Sequence, residues 1–205
     1  MLNTGPRPNG VTIVPRLQLA VVACIGDETR GPQLEVMELG GQQRWSIDLP
    51  GRPRWCVTDA AGTRVFLAIR EPSIILAARL PELDEVRHWM LASTGAHGLD
   101  IDHQSRLLYV PCDGGVLIEL DALTGHVRGE WPLPGVPDAT FFNPASGLVH
   151  VAVGNPGLIE SIDPRTGTAT RSTTAIGAKT TTLVPPDRLY VFSPLHRGIL
   201  ILTEA

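Results

Sequence analysis

Basic residues are in short supply: 17 Lys and Arg face 21 Asp and Glu, for a formal net charge of −4. Affinity for a phosphate backbone needs a local excess of Lys and Arg, so no nucleic-acid partner is expected. Aromatic side chains are scarce too, at 5%. Trp45, Trp55, Trp89 and Trp131 recur at irregular places, which suits packing between structural units better than a stacking platform for bases. Cysteine appears three times, as Cys24, Cys56 and Cys112, without CxxC spacing. An odd, sparse set argues against a disulfide framework and against a structural zinc site. Each cysteine lies in or beside an apolar run, where a thiol packs as a small hydrophobe.

Long apolar runs are missing as well. None reaches the roughly eighteen residues needed to cross a bilayer, and residues 1–10 lack the charged-then-apolar plan of a signal peptide. No membrane association is expected. The compartment read from this is cytoplasmic, or periplasmic if the chain is truncated at its N-terminus. Several motifs are absent: the Gly-x-x-x-x-Gly-Lys phosphate loop, the Gly-x-Ser-x-Gly elbow, the His-Glu-x-x-His helix and a Gly-x-Gly-x-x-Gly turn. These absences remove the common nucleotide-binding, serine-hydrolase and zinc-protease readings.

What the chain has in quantity is punctuation. Gly 21 and Pro 18 leave little room for long helices, while 43% apolar and 19% charged residues mark a globular chain. The glycines keep time. Gly51-Arg52-Pro53-Arg54-Trp55-Cys56-Val57 aligns with Gly95-Ala96-His97-Gly98-Leu99-Asp100-Ile101 and with Gly135-Val136-Pro137-Asp138-Ala139-Thr140-Phe141. A further unit is Gly177-Ala178-Lys179-Thr180-Thr181-Thr182-Leu183, and stepping back from Gly51 reaches Gly5 with Val11 at the matching apolar position. Successive glycines lie 46, 44, 40 and 42 residues apart. That is the period of a four-stranded β-propeller blade.

Each unit repeats one order of events. A short apolar strand comes first, and a second rich in β-branched and aromatic residues follows at 19–24, 64–69, 107–110, 148–153 and 189–192. A third strand and a more polar fourth come after, joined by turns such as Asp121-Ala122-Leu123-Thr124-Gly125, where Asp opens and Gly accepts positive φ. A helix over 82–91 is the competing reading, with Leu83, Val86 and Met90 on one face. The equivalent positions of other repeats carry Pro, Gly and Thr, which helices avoid. The predicted fold class is therefore all-β, a single propeller domain over 1–205 built of four-stranded antiparallel blades. Its units span about 5–50, 51–94, 95–134, 135–176 and 177–205, the last incomplete. Three arrangements fit that count: a five-bladed ring closed imperfectly, part of a larger ring, or two chains completing each other as a homodimer. The larger ring is preferred, because an open ring exposes unpaired edges.

Function in such a ring gathers at the channel mouth, where the loops entering the first strands converge. The alignment assigns Arg54, His97, Asp138 and Lys179 to that place, with Arg7 or Pro8 in the first unit. These positions vary where a purely structural position would repeat. An imidazole, a carboxylate and two cations in one funnel suit a small anionic or polar molecule, or a peptide. Solvated turn residues are the plainer account of the same set. Arg54 and Lys179 would repel a cation, so no metal is expected; no cofactor is implied and no catalytic set is assembled. A second cluster lies in loops after the second strands: Asp27, Glu71, Cys112-Asp113, Asn155 and His196-Arg197. Asp113 would raise the Cys112 thiol pKa, the wrong direction for a nucleophile.

Four stretches carry a resemblance. Ala96-His97-Gly98-Leu99-Asp100-Ile101-Asp102 with Arg106-Leu107-Leu108-Tyr109-Val110-Pro111-Cys112-Asp113-Gly114 is similar to the YncE-like or YVTN-type bacterial β-propellers. So are Gly147-Leu148-Val149-His150-Val151-Ala152-Val153-Gly154-Asn155 and Arg188-Leu189-Tyr190-Val191-Phe192. The likeness covers about 55–205. It implies a WD40-like ring, seven-bladed in typical members, and departs at Lys179, where the family pattern would place histidine. Two functions are carried forward. The first is a non-catalytic binding or scaffold protein with its ligand at the channel mouth. The alternative is a metal-assisted lactone hydrolase or lyase of the gluconolactonase-like type, with His97 as base, Asp138 orienting it or binding metal, and Lys179 or Arg54 stabilising an anion.

Overall fold

The structure, a computed structural model, describes residues 2–41 and 43–204. Among them, strands run almost without interruption, and the single helical element is a 3-10 turn at Pro15–Leu17. The chain divides into two compact units, Met1–Ala96 and His97–Ala205. In the first unit, β1 (Pro8–Val14), β2 (Leu19–Cys24), β3 (Gln33–Glu38) and β4 (Arg44–Asp48) make one sheet. Its second sheet is β5 (Pro53–Thr58), β6 (Arg64–Ile69), β7 (Ile74–Arg79) and β8 (Asp84–Met90).

The second unit holds three sheets. The first contains β9 (Asp100–Asp102), β10 (Leu107–Cys112), β11 (Val116–Asp121) and β12 (Val127–Pro132). The next contains β13 (Pro137–Asn143), β14 (Leu148–Val153), β15 (Leu158–Ile162) and β16 (Ala169–Thr173). The last is three-stranded, from β17 (Thr181–Val184), β18 (Arg188–Ser193) and β19 (Gly198–Thr203). Every sheet is an antiparallel meander in chain order. These are β-propeller blades.

Burial follows the strand's place in the blade. The middle strands read as continuous apolar runs and are covered on both faces, as in β2, Leu-Ala-Val-Val-Ala-Cys, and β6, Arg-Val-Phe-Leu-Ala-Ile. The fourth strands are polar and largely exposed, as in β8 and β16. In the first unit Val21, Leu34, Val36, Leu67 and Leu76 of both sheets join one buried cluster. In the second unit Tyr109, Leu117, Val151 and Val153 do the same. Each fully buried aliphatic side chain of this kind stabilises by about 1.5–3 kcal/mol relative to exposure, so packing between blades is a main source of order.

The segment over 82–91 is strand, not helix. β8 pairs antiparallel with β7, and the two outer members of the supposed helical face, Val86 and Met90, are 42% and 71% exposed. The open hydrogen-bonding edge of β7 outcompetes a short helix that has little apolar surface to bury.

The repeating glycines have two separate physical causes. A Cβ at Gly51 would overlap the Glu71 carbonyl oxygen, and one at Gly135 would overlap the carbonyl of Asn155. Both carbonyls stand just beyond the second strand of the same blade. Gly95 and Gly177 are instead left-handed, at φ 73° and 83°, where a side chain is strained.

Candidate functional site

In the second unit, three blades bring their polar ends together. His97 lies between Gly95 and β9, and its backbone N–H donates to the Pro111 carbonyl at 3.0 Å. That bond ties it to the end of β10. Gly98 lets this segment meet β13 closely, since a Cβ there would stand 2.6 Å from the Asp138 carbonyl oxygen. From the other side, the Ala139 N–H donates to the Lys179 carbonyl at 3.4 Å, joining β13 to the chain that enters β17. Gly154 makes room for the lysine: a Cβ there would lie 3.3 Å from the Lys179 Cβ. Backbone contacts therefore set all three positions before any side chain is considered.

The side chains then form a row. His97 is buried, 6% exposed, and its Nδ1 lies 2.7 Å from Asp113 Oδ1. A carboxylate only accepts, so Nδ1 carries the proton of that bond. Nε2, on the opposite edge of the ring, is 3.5 Å from Asp138 Oδ1. Lys179 Nζ is 3.6 Å from Asp138 Oδ2, and the lysine side chain is 60% exposed. The row runs Asp113, His97, Asp138, Lys179, from buried to open, with two carboxylates against one fixed cation. Lys179 is also the sole lysine of the sequence.

Three of the four residues read from the sequence, His97, Asp138 and Lys179, therefore lie together. Arg54 occupies the same repeat position on β5 of the first unit, half-buried, one residue beyond the Pro53 carbonyl that Asn9 Nδ2 bonds at 3.2 Å. Asp113 is the member that the alignment put elsewhere. It follows β10, and the turn it begins, with Gly115 at φ 82°, carries its carboxylate back toward the loop before β9.

The rest of that second cluster does separate jobs. Asp27 Oδ1 accepts from the Thr29 hydroxyl and the Thr29 and Arg30 N–H groups, bonds that hold its carboxyl below the usual range. His196 Nδ1 is 2.8 Å from Ser193 Oγ. The cysteines are buried, and burial pushes the Cys56 thiol up to about 12 and also raises Cys24, with the Glu35 charge adding to it.

Sequence reasoning also missed several buried charges. Glu35 on β3 is wholly buried, accepts from the Gly5 N–H at 2.9 Å and lies 3.1 Å from Arg30 Nη2. Glu160 on β15 is held by Arg171 at 2.8 Å. His150 on β14 sits 2.6 Å from Glu204. One signal was available: a charged residue inside an otherwise apolar middle strand must find a partner. Among the described residues, no group of three His, Cys, Asp or Glu side chains is placed to hold a metal ion, and no helix is long and apolar enough to cross a membrane.

No protein-family model matches the chain, and no curated protein matches it by sequence. Solved structures do. One is a nidogen/laminin complex, at 15% identity and TM-score 0.77, covering 96% of this chain and 75% of that one. Another is a catalytically inactive histidine-to-alanine variant of virginiamycin B lyase from Staphylococcus aureus with quinupristin, at 14% identity and TM-score 0.81, covering 99% and 69%. The RRP9 WD40 repeats match at 9% identity and TM-score 0.79, covering 92% of this chain and 58% of that one. At such identities the likeness concerns the fold, which is of the propeller or WD40 type.

Proposed function

We propose that the chain is a non-catalytic binding or scaffold protein whose ligand docks on the Asp113–His97–Asp138–Lys179 row of the second unit. The observation that carries this reading is the gradient along the row. Asp113 pins a buried imidazole in one orientation, while Asp138 and Lys179 present a carboxylate and an ammonium at its open end. Such a pair suits a ligand that brings a carboxylate to Lys179 and an N–H or O–H donor to Asp138, as a small acid or the end of a peptide does. The resemblance of 55–205 to YncE-like propellers supports the same class without specifying a ligand.

The sole lysine supplies the test. Succinate and triglycine serve as probes, and protection of Lys179 from acetylation is followed by mass spectrometry beside the imidazole resonances of His97. The expected result is saturable protection and a shift of the His97 signals, weakened about tenfold or more in Asp138→Ala, equivalent to about 1.4 kcal/mol. Equal protection in wild type and Asp138→Ala, or none at millimolar probe, sinks the site. Turnover of a lactone by the purified chain, lost in His97→Ala, would instead favour the lactone hydrolase or lyase alternative, in which the Asp113–His97 pair acts as an oriented base.

A further inference from the structure

A cavity of about 700 Å³ opens elsewhere in the second unit, between the blade of β9–β12 and that of β13–β16. It lies by the β9–β10 turn, at the far end of β9 from His97. Register explains its chemistry. Asp100, Tyr109, Glu119 and Gly129 stand opposite one another across β9, β10, β11 and β12, so their side-chain positions share one face. Asp102 is two residues along from Asp100 on that face. Tyr109 stacks on Phe142 of the next blade, centroids 5.4 Å apart, and both rings line the cavity. Three carboxylates and an aromatic wall therefore share one half-open cavity.

The charges there are poorly compensated. Asp100 accepts from the Ile101 N–H at 2.9 Å and the Phe142 N–H at 2.7 Å, and Glu119 is bonded by the Tyr109 hydroxyl. None of these donors carries a charge. The nearby guanidinium groups bond other acids, Arg165 to Asp163 at 3.2 Å and Arg128 to Asp121 at 3.5 Å, and Arg128 reaches Glu119 through its charge alone. Burial raises the Glu119 carboxyl against the pull of the Tyr109 hydroxyl and the Arg128 charge, and pushes Asp100 up to about 6 against its two N–H bonds and the His103 ring.

Another buried acid of a middle strand, Glu160 of the next blade, shows how such a group can be matched by a cation. On the opposite face of the next blade, Thr140, Val151, Glu160 and Arg171 stand in one row. Arg171 grips the buried Glu160 with Nε at 2.8 Å and Nη2 at 3.3 Å. Across from Glu119, the outer strand instead offers Gly129, where a Cβ would meet the Trp131 ring at 2.5 Å. Glu119 thus has no arginine directly across the sheet, where Glu160 has Arg171.

We propose that this cavity binds a guanidinium group from outside the chain, which pairs with Glu119 and Asp102 and lies against the Tyr109–Phe142 wall. Planar, weakly hydrated and forked, that cation suits both carboxylates and ring faces. It can come from an arginine side chain of a partner or from a free guanidino metabolite.

Calorimetric titration of the whole chain tests this with three probes: N-acetyl-arginine amide, free arginine and the neutral isostere N-acetyl-citrulline amide. Saturable arginine binding is expected, at least about tenfold tighter than citrulline. Preference for the capped amide assigns a protein partner, and preference for free arginine assigns a metabolite. Glu119→Gln should weaken binding by about ten- to a hundredfold and Asp102→Asn by less, while Glu71→Gln, an equal charge change outside the cavity, should leave it unaltered. Far-UV circular dichroism confirms that each variant is folded; should Glu119→Gln not fold, Asp102→Asn carries the comparison. Equal arginine and citrulline binding, no binding at millimolar probe, an unchanged Glu119→Gln or Asp102→Asn, or binding of calcium chloride in place of arginine would each overturn the proposal. Neither Asp138 nor Lys179 enters this experiment, so its failure and that of the row at His97 are distinguishable.

Discussion

Gly51→Ala is expected to destabilise the first unit by roughly 3 kcal/mol, read as a fall in the urea midpoint. The added methyl group would overlap the Glu71 carbonyl oxygen, an atom of the backbone that no rotamer change can move aside. Relief requires shifting either the entry to β5 or the end of β6, and both belong to a closely packed core. Gly31→Ala is the matched control. A Cβ at Gly31 meets nothing within 4 Å, so alanine there should range from neutral to about 1 kcal/mol stabilising, by restricting the unfolded chain. Equal midpoints for the two variants would show that close approach is not what keeps glycine at the head of this blade.

Glu204→Ala should cost about 3 kcal/mol and sharpen the acid sensitivity of the second unit. Glu204 Oε1 lies 2.6 Å from both His150 Nε2 and Asn143 Nδ2, tying the end of the last sheet to β13 and β14. Because the carboxylate only accepts, Nε2–H donates to it, and the neutral ring's Nδ1 accepts from the Ser161 hydroxyl at 2.9 Å. Burial holds the His150 imidazole below its ordinary pKa, although Glu204 pulls the other way. The unfolded chain therefore takes up the proton first. Stability from this residue is present above about pH 6.5 and is lost as pH falls through the lower folded value. Without Glu204 the upward pull vanishes, and the loss on acidification should deepen.

Asp100 acts in the opposite sense. Its folded pKa of about 6 lies above the unfolded value of 3.8, so the folded chain binds the extra proton between the two. Its contribution grows as pH falls across that window. Urea midpoints at pH 7.5, 6.5, 5.5 and 4.5 check both assignments. Asp100→Asn should make the wild-type decline steeper between pH 6 and 4, and His150→Gln should remove the step near 6.5. A profile unchanged in both variants would contradict them.

Much of the architecture was written in local order. The glycine cadence, the apolar middle strands, the polar fourth strands and the Asp-to-Gly turns are each set by a handful of adjacent residues, so a reading by period finds them. The spacing also named His97, Asp138 and Lys179, because equivalent positions in successive repeats meet neighbours at the same level of the blades. Asp113 escaped that logic. It belongs to a different strand connection, and only the turn at Gly114 and Gly115 carries its carboxylate to the imidazole. Glu160 and Glu119 show the same limit more sharply: both are lone acids in apolar strands, yet one faces Arg171 and the other faces Gly129.

From its order of residues alone, then, this chain is committed to four-stranded blades, because strand, turn and alternation depend on neighbours a few positions apart. Which charges are paired, which buried acid meets an arginine across the sheet and which meets a glycine, and whether a glycine is held by its φ or by a facing carbonyl were decided only in three dimensions. Those outcomes depend on ångström-scale distances between segments from different strands and different blades, and no local pattern carries that information.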